Sequence, residues 1–191
     1  MHRVHRSQGI AVLLATACAG SNASANDGPS EIVYVVPIVG VEYVGIASAA
    51  LHADYQGVDT TRTSGVGLAW GGHAGVALGA FRLGALFQQT RVFQTDGLNF
   101  NKLYVEAGLG GRQGIVALTL TLAGGWAFFS GNGMSRRDGG GARVAFAADF
   151  YIGRFFSLGP ELAVDGAGYV ADQTAYGSWG VTGALRVGLH L

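Results

Sequence analysis

The chain has 191 residues, of which 49% are hydrophobic and 13% charged, with Lys+Arg 12 balanced by Asp+Glu 12. A soluble domain carries about 25% charged residues, and no uninterrupted apolar run here reaches the roughly 18–20 residues of a spanning helix. That argues against a typical soluble domain and a helical membrane protein, and the absence of a basic excess argues against nucleic-acid binding; a closed barrel of strands is the other way to satisfy a backbone in lipid.

Met1–Ala25 has the organisation of a secretory signal peptide. Arg3 and Arg6, with His2 and His5, form a basic start, Gly9–Ala19 is a short apolar core, and Ala23-Ser24-Ala25 fits a cleavage site before Asn26. The alternative is lipidation at Cys18, since Ala15-Thr16-Ala17-Cys18 faintly resembles a lipoprotein box, although a larger aliphatic is usual where Ala15 stands. Cleavage after Ala25 removes the only cysteine, so the mature chain has no thiol or disulfide chemistry. It also leaves ten basic residues against twelve acidic ones, a net charge of −2.

A leader, Asn26–Tyr34, opens with the polar stretch Asn26–Glu31. Val35–Leu191 then reads as eight strands, each judged by a period of two. The first spans about Val35–Ala49, with Val39, Val41 and Tyr43 outward and Gly40 and Glu42 inward. The second, about Gly65–Leu78, turns Val66, Leu68, Trp70, Val76 and Leu78 outward; the third, about Phe81–Val92, does the same with Phe81, Leu83, Ala85 and Phe87. The fourth, about Lys102–Gly111, presents Leu103, Val105 and Leu109. The fifth, Ile115–Phe129, carries the clearest signal. Val116, Leu118, Leu120 and Leu122 take one parity and Ala117, Thr119, Thr121 and Ala123 the other, so one face is as apolar as lipid and the other is small and mildly polar. The sixth, about Ala142–Ile152, points Val144, Phe146, Phe150 and Ile152 outward. The seventh, about Phe156–Ala171, presents Phe156, Leu158, Leu162, Val164 and Val170. The eighth, about Ser178–Leu191, presents Trp179, Val181, Leu185, Val187, Leu189 and Leu191.

Connections alternate in length. Gly79-Ala80, Arg112-Gln113-Gly114 and Gly153-Arg154-Phe155 read as tight turns, whereas Leu51–Ser64, Phe93–Asn101 and Ser130–Gly141 read as long polar loops and Ala171–Gly177 as intermediate. Gly139-Gly140-Gly141 reads as a flexible loop tip. Phe81, Phe155 and Phe156 fall near the tight turns, and Trp126, Phe128, Phe129 and Trp179 near the long loops, which suggests two aromatic girdles. Glycine, 33 residues, is more than twice its usual share of about 7%, and it permits the curvature of a narrow barrel.

The alternation, the loop asymmetry and the last strand, ending in Ala184–Leu191, together resemble the small eight-stranded outer-membrane β-barrel proteins, the OmpA/OmpX-type class. The resemblance covers about Val35–Leu191. It implies an all-β, antiparallel up-and-down transmembrane barrel in the bacterial outer membrane, with short turns and both termini on the periplasmic side. It implies outer-membrane lipid and lipopolysaccharide as surroundings and the barrel-assembly machinery as a partner during insertion. Members of the class typically end in an aromatic residue which that machinery reads; here Leu191 stands in its place.

The inward parity collects a polar set: Glu42, His73, Arg82, Glu106, Arg143, Asp149, Glu161, Asp165 and Arg186. Buried charges are costly alone and so are usually paired. A turn centred near Arg154 sets Arg143 opposite Asp165, and a loop centred near Thr174 sets Arg186 close to Glu161, so these two ion pairs are expected. Eight strands leave an interior that side chains can fill, which favours a plugged, salt-bridged lumen; the alternative is a narrow or gated conduit lined by the same residues.

Other chemistry is weakly signalled. Glu161 and Asp165 are four apart on one strand, roughly 13 Å at about 3.3 Å per residue, too far for an acid/base couple. His52, Asp54 and Asp59 lack the spacing of a metal site. Arg136-Arg137 before Asp138 suggests contact with lipopolysaccharide phosphates, the plainer reading being a solvated loop tip. No catalytic, metal or cofactor site is expected, and the chain is not expected to be an enzyme. A structural or surface-interaction role is the first expectation, and a small pore or carrier for small molecules the second. A secreted lipocalin-type barrel would place large apolar residues inside and many Lys and Glu outside; the polar parity here is too small and too poor in lysine for such an exterior, and the chain has a single lysine, Lys102.

Overall fold

A computed structural model describes residues 33–50, 60–93, 97–131, 134–171 and 174–191. The expected signal peptide Met1–Ala25 with Cys18, the polar stretch Asn26–Glu31, and His52, Asp54 and Asp59 lie outside the described residues.

Eight strands run in chain order: β1 Val33–Ala50, β2 Thr60–Leu78, β3 Phe81–Val92, β4 Asn99–Gln113, β5 Val116–Gly131, β6 Met134–Ile152, β7 Phe156–Ala171 and β8 Thr174–His190. Each pairs antiparallel with its sequence neighbours, and β8 returns to β1, from Tyr34↔His190 to Ala50↔Thr174, so the sheet closes without an edge. The tight turns rest on Gly79, Gly114 and Gly153, all in the left-handed region at φ 64°, 61° and 74°, where only glycine is unstrained.

The alternation expected from the sequence is realised around the wall. Leu118 and Leu122 are exposed on β5 while Ala117, Thr119 and Thr121 are buried, and Val39, Leu83, Val105, Phe146, Leu162 and Leu185 line the outside of the other strands. An exterior built of large apolar side chains around a polar interior inverts the usual arrangement of a protein in water and matches hydrocarbon. Trp126 and Trp179 mark one end of this wall, and Phe81, Phe155 and Phe156 the other, all exposed.

β3 and β7 keep their expected bounds; the other strands extend further at one end or both, while β5 begins one residue later than expected, at Val116, and β8 ends one residue earlier, at His190. Val33 and Tyr34, assigned to the leader, begin β1. The stretch Ser130–Gly141, expected as a loop, is mostly strand, and Gly139-Gly140-Gly141 is no flexible tip: it pairs with Tyr169, Gly168 and Ala167 on β7 and with Ala127, Trp126 and Gly125 on β5. The glycines are needed there for close packing, since a Cβ on Gly139 would lie 2.8 Å from the Tyr169 ring. Small residues hide period two, which is why this stretch resembles a loop in sequence.

Two prolines interrupt the ladder. β1–β8 pairing passes from Val35↔Leu189 to Ile38↔Arg186 around Pro37, and β6–β7 pairing from Ala147↔Glu161 to Phe150↔Leu158 around Pro160. Proline has no N–H to give a neighbouring strand.

Candidate functional site

Period two aims one residue in two from every strand at the barrel axis, so charges far apart in sequence meet in one enclosed space. Glu42, His73, Glu106, Arg143, Asp149, Glu161, Asp165 and Arg186 are all buried there. Arg82 is half-buried towards the tight-turn end, with its guanidinium 5.6 Å from the centre of the Tyr34 ring.

Two carboxylates organise the lumen. Glu161 on β7 accepts from Arg143 of β6 and, at 2.6 Å, from Arg186 of β8. Arg186 also lies 3.2 Å from Asp149. The His73 ring bridges two acids, Nδ1 at 2.8 Å from Glu106 and Nε2 at 3.2 Å from Glu161, and the Tyr34 hydroxyl donates to Glu106 at 3.2 Å. The second hub is Glu42 on β1, which accepts from Lys102 Nζ at 2.5 Å, from Gln88 Nε2 at 2.8 Å and from the Thr90 hydroxyl. Lys102 reaches Asp165 at 2.7 Å. Arg143 donates to both Gln88 and Glu161, joining the two hubs into one network.

Of the two expected ion pairs, Arg186–Glu161 forms. Arg143 and Asp165 do face each other across the β6–β7 hairpin, but Arg143 bonds Gln88 and Glu161 while Asp165 takes Lys102. Register fixes which Cα atoms are neighbours; in a narrow lumen a long side chain also reaches acids on strands across the barrel. Lys102, Tyr34, Gln88 and Thr90 are participants that sequence reading left out, although the parity of Lys102 with Glu106 on β4, of Tyr34 with Glu42 on β1 and of Gln88 and Thr90 with Arg82 on β3 was available as a signal.

Above the charged layers, at the long-loop end, the lumen turns apolar. Phe100 and Phe129 stack at 5.6 Å, and Phe129 meets Tyr169 at 4.9 Å and Tyr176 at 5.5 Å edge-on. Val44, Val92, Leu98 and Ala127 complete this lid. Phe129, expected in the outer girdle, is therefore inside: it shares the odd parity of Thr121 and Ala127. Trp126 and Phe128, of even parity, pack together on the outer wall at 4.9 Å.

At the tight-turn end, His190 lies against the Tyr151 ring at 4.8 Å and 2.8 Å from the Ser157 hydroxyl, with the Arg112 guanidinium 3.8 Å from the centre of the Tyr151 ring. The void among Tyr34, His73, Arg82, Glu106, Thr119 and Arg186 measures about 10 Å³, space for one water at most. Among the described residues no group of three or more His, Cys, Asp or Glu is arranged to hold a metal ion. The arrangement can lock eight strands to one another and obstruct passage along the axis.

Neither a family model nor a curated protein sequence matches the chain. Among solved structures it is similar to Neisserial surface protein A, with TM-score 0.61 and 12% identity over 83% of this chain and 97% of that one. It is also similar to the outer membrane protease OmpT from Escherichia coli, with TM-score 0.49 and 8% identity over 88% and 99% of the two chains. A third is the outer membrane protein OprG from Pseudomonas aeruginosa, with TM-score 0.44 and 11% identity over 86% and 99%. At such identities the first of these likenesses speaks for the eight-stranded barrel fold and for nothing finer.

Proposed function

We propose that this chain is a bacterial outer-membrane β-barrel protein, exported by Met1–Ala25, whose mostly filled, salt-bridged lumen serves structure and whose role is structural or surface-interacting. The observation that carries this reading is the pairing of an apolar outer wall with a lumen closed twice, by the continuous network centred on Glu42 and Glu161 and by the lid of Phe100, Phe129, Tyr169 and Tyr176. Charges of both signs held against one another in a packed lumen leave little room for an ion to pass, and the lid is built of apolar and aromatic side chains. In this reading the tight turns and both chain ends face the periplasm, the long-loop end meets the exterior, outer-membrane lipid and lipopolysaccharide surround the wall, and the barrel-assembly machinery inserts the chain. The chain acts without catalysis.

The test is refolding into planar bilayers. The wild type is expected to migrate as a heat-modifiable band, to show a β-rich circular dichroism spectrum, and to give no steady conductance. Steady openings on the nanosiemens scale would move the assignment to a small pore, with the same charged residues as its selectivity lining. A monomer that stays soluble without detergent would overturn the membrane assignment itself.

A further inference from the structure

We propose that the outer wall of β3–β6, just above the aromatic belt at the long-loop end, holds a phosphate-bearing lipid headgroup, with Arg136 as its principal ligand and Arg91 as a second cation. The proposal rests on the membrane reading above and names a lipid site within it.

Trp126 shares a pairing row with Phe87, Leu103 and Gly140, and this row belongs to the aromatic belt on this side. Beyond the third row higher, β5 and β6 lose register: Phe129↔Arg137 is followed by Gly131↔Met134, so Ser135 and Arg136 together oppose Ser130. Such a bulge re-aims a side chain. Here it accompanies Arg136 lying flat on the outer wall, its guanidinium 4.4 Å from the centre of the Trp126 ring and 3.9 Å from that of Phe128. Asp138 accepts from Arg136 Nε at 2.9 Å and lies 2.9 Å from Nη2. Two rings and one carboxylate thus fix the plane of a side chain that is still 45% exposed, reducing the rotamer entropy lost when it meets a ligand.

That height is where a lipid surface presents phosphates, and a planar guanidinium recognises a phosphate through paired N–H donors. In the same pairing row, Arg91 of β3 pairs with Asn99 and Asn99 with Ser130. The exposed Arg91 therefore stands about 14 Å around the wall from Arg136, three strand spacings of about 4.8 Å, which suits a headgroup carrying two phosphates. The neighbouring β7 and β8 differ at this height: they present Gly166, Gly168, Val170, Gly177 and Trp179 and no charge on their described outward positions. A merely solubilising rim has no reason to place a bulge and two aromatic rings around one arginine.

The experiment uses the refolded barrel in zwitterionic micelles with Trp70→Phe and Trp179→Phe, which leaves Trp126 as the sole tryptophan. Lipopolysaccharide is titrated against Trp126 emission, and the lipid retained per barrel is counted by native mass spectrometry. Binding is expected to saturate. Arg136→Ala should raise the midpoint about tenfold and Arg91→Ala by less. Arg136→Lys, which keeps the charge and loses the planar fork, should not restore it. Dephosphorylated lipopolysaccharide should bind no better than the Arg136→Ala variant binds the intact lipid. Equal midpoints for wild type and Arg136→Ala, or full binding of the dephosphorylated lipid, would overturn the proposal and leave the membrane reading intact. Saturation by inorganic phosphate alone, with the same dependence on Arg136, would also overturn it in favour of a free anion. Loss of the heat-modifiable band in the wild type would instead count against the membrane reading.

Discussion

Glu161→Gln is expected to destabilise the barrel by about 3–5 kcal/mol, because removing one member of a buried ion pair leaves the other uncompensated. The exchange is nearly isosteric, so packing is conserved and the effect isolates charge. Two guanidinium groups, Arg143 and Arg186, lose their common acceptor, and the His73 ring loses one of its two acids. Urea unfolding in lipid vesicles measures it. Glu161→Gln with Arg186→Gln should cost less than the two single changes added together, yet retain a deficit, since Arg143 still faces the altered site. Arg136→Gln supplies the contrast: its ion pair with Asp138 is about half exposed on both sides, and such pairs contribute about 0–1 kcal/mol. If Glu161→Gln cost no more than Arg136→Gln, the lumen would have to be wet.

Leu120→Arg carries the second large effect. Leu120 stands on the outward row of β5, about midway between Val116 at the tight-turn end and Trp126 in the girdle, and pairs with Leu109 and Phe146. At a bilayer midplane an arginine there should cost about 2–4 kcal/mol. Thr119→Arg, one residue away, enters a packed interior beside Arg82 and Arg186 at the small void; its penalty comes from crowding and like charge, not from lipid. Bilayer thickness separates the two. The cost of Leu120→Arg should fall as the acyl chains shorten, because a thinner film lets the guanidinium reach water, while the cost of Thr119→Arg should stay constant. Equal responses would mean that the parity of β5 is reversed.

The features that were legible in the sequence are those that period two and turn length control. Alternation alone orients Leu118 and Thr119 correctly. A three-residue turn at Gly153–Phe155 fixes the register that sets Arg143 opposite Asp165, and the Arg186–Glu161 contact follows from an approximate loop centre because a two-residue error keeps the same face. What escaped has a common cause. The partner that Arg143 takes depends on side chains from strands across the barrel, and no local pattern encodes a contact between β3 and β6. Lys102 and Phe129 were recoverable from parity, but Phe129 near a loop resembles a girdle residue until its odd position is weighed against that of Trp126. The upper part of β6 lacked any signal, since Gly139-Gly140-Gly141 carries no side chains to alternate. For the site above the girdle, the Arg136-Arg137 pair is visible in sequence, but the bulge and the rings beneath Arg136 are not.

The return of β8 to β1 also governs how the chain must be made. Tyr34 and His190, paired in the finished barrel, are 156 residues apart, so closure brings together the first strand of the barrel and the last. Contacts that span so much sequence form slowly, because loop entropy is lost before any pairing rewards it. Until β8 has been synthesised, β1 offers a row of open donors and acceptors beside an oily face, the form in which chains aggregate. A nascent copy must therefore be kept from pairing wrongly until β8 is available, and the barrel closes only when that strand meets β1. A truncation of about ten residues from the carboxyl end would for that reason remove more than one strand's share of stability; it would leave the whole circle open.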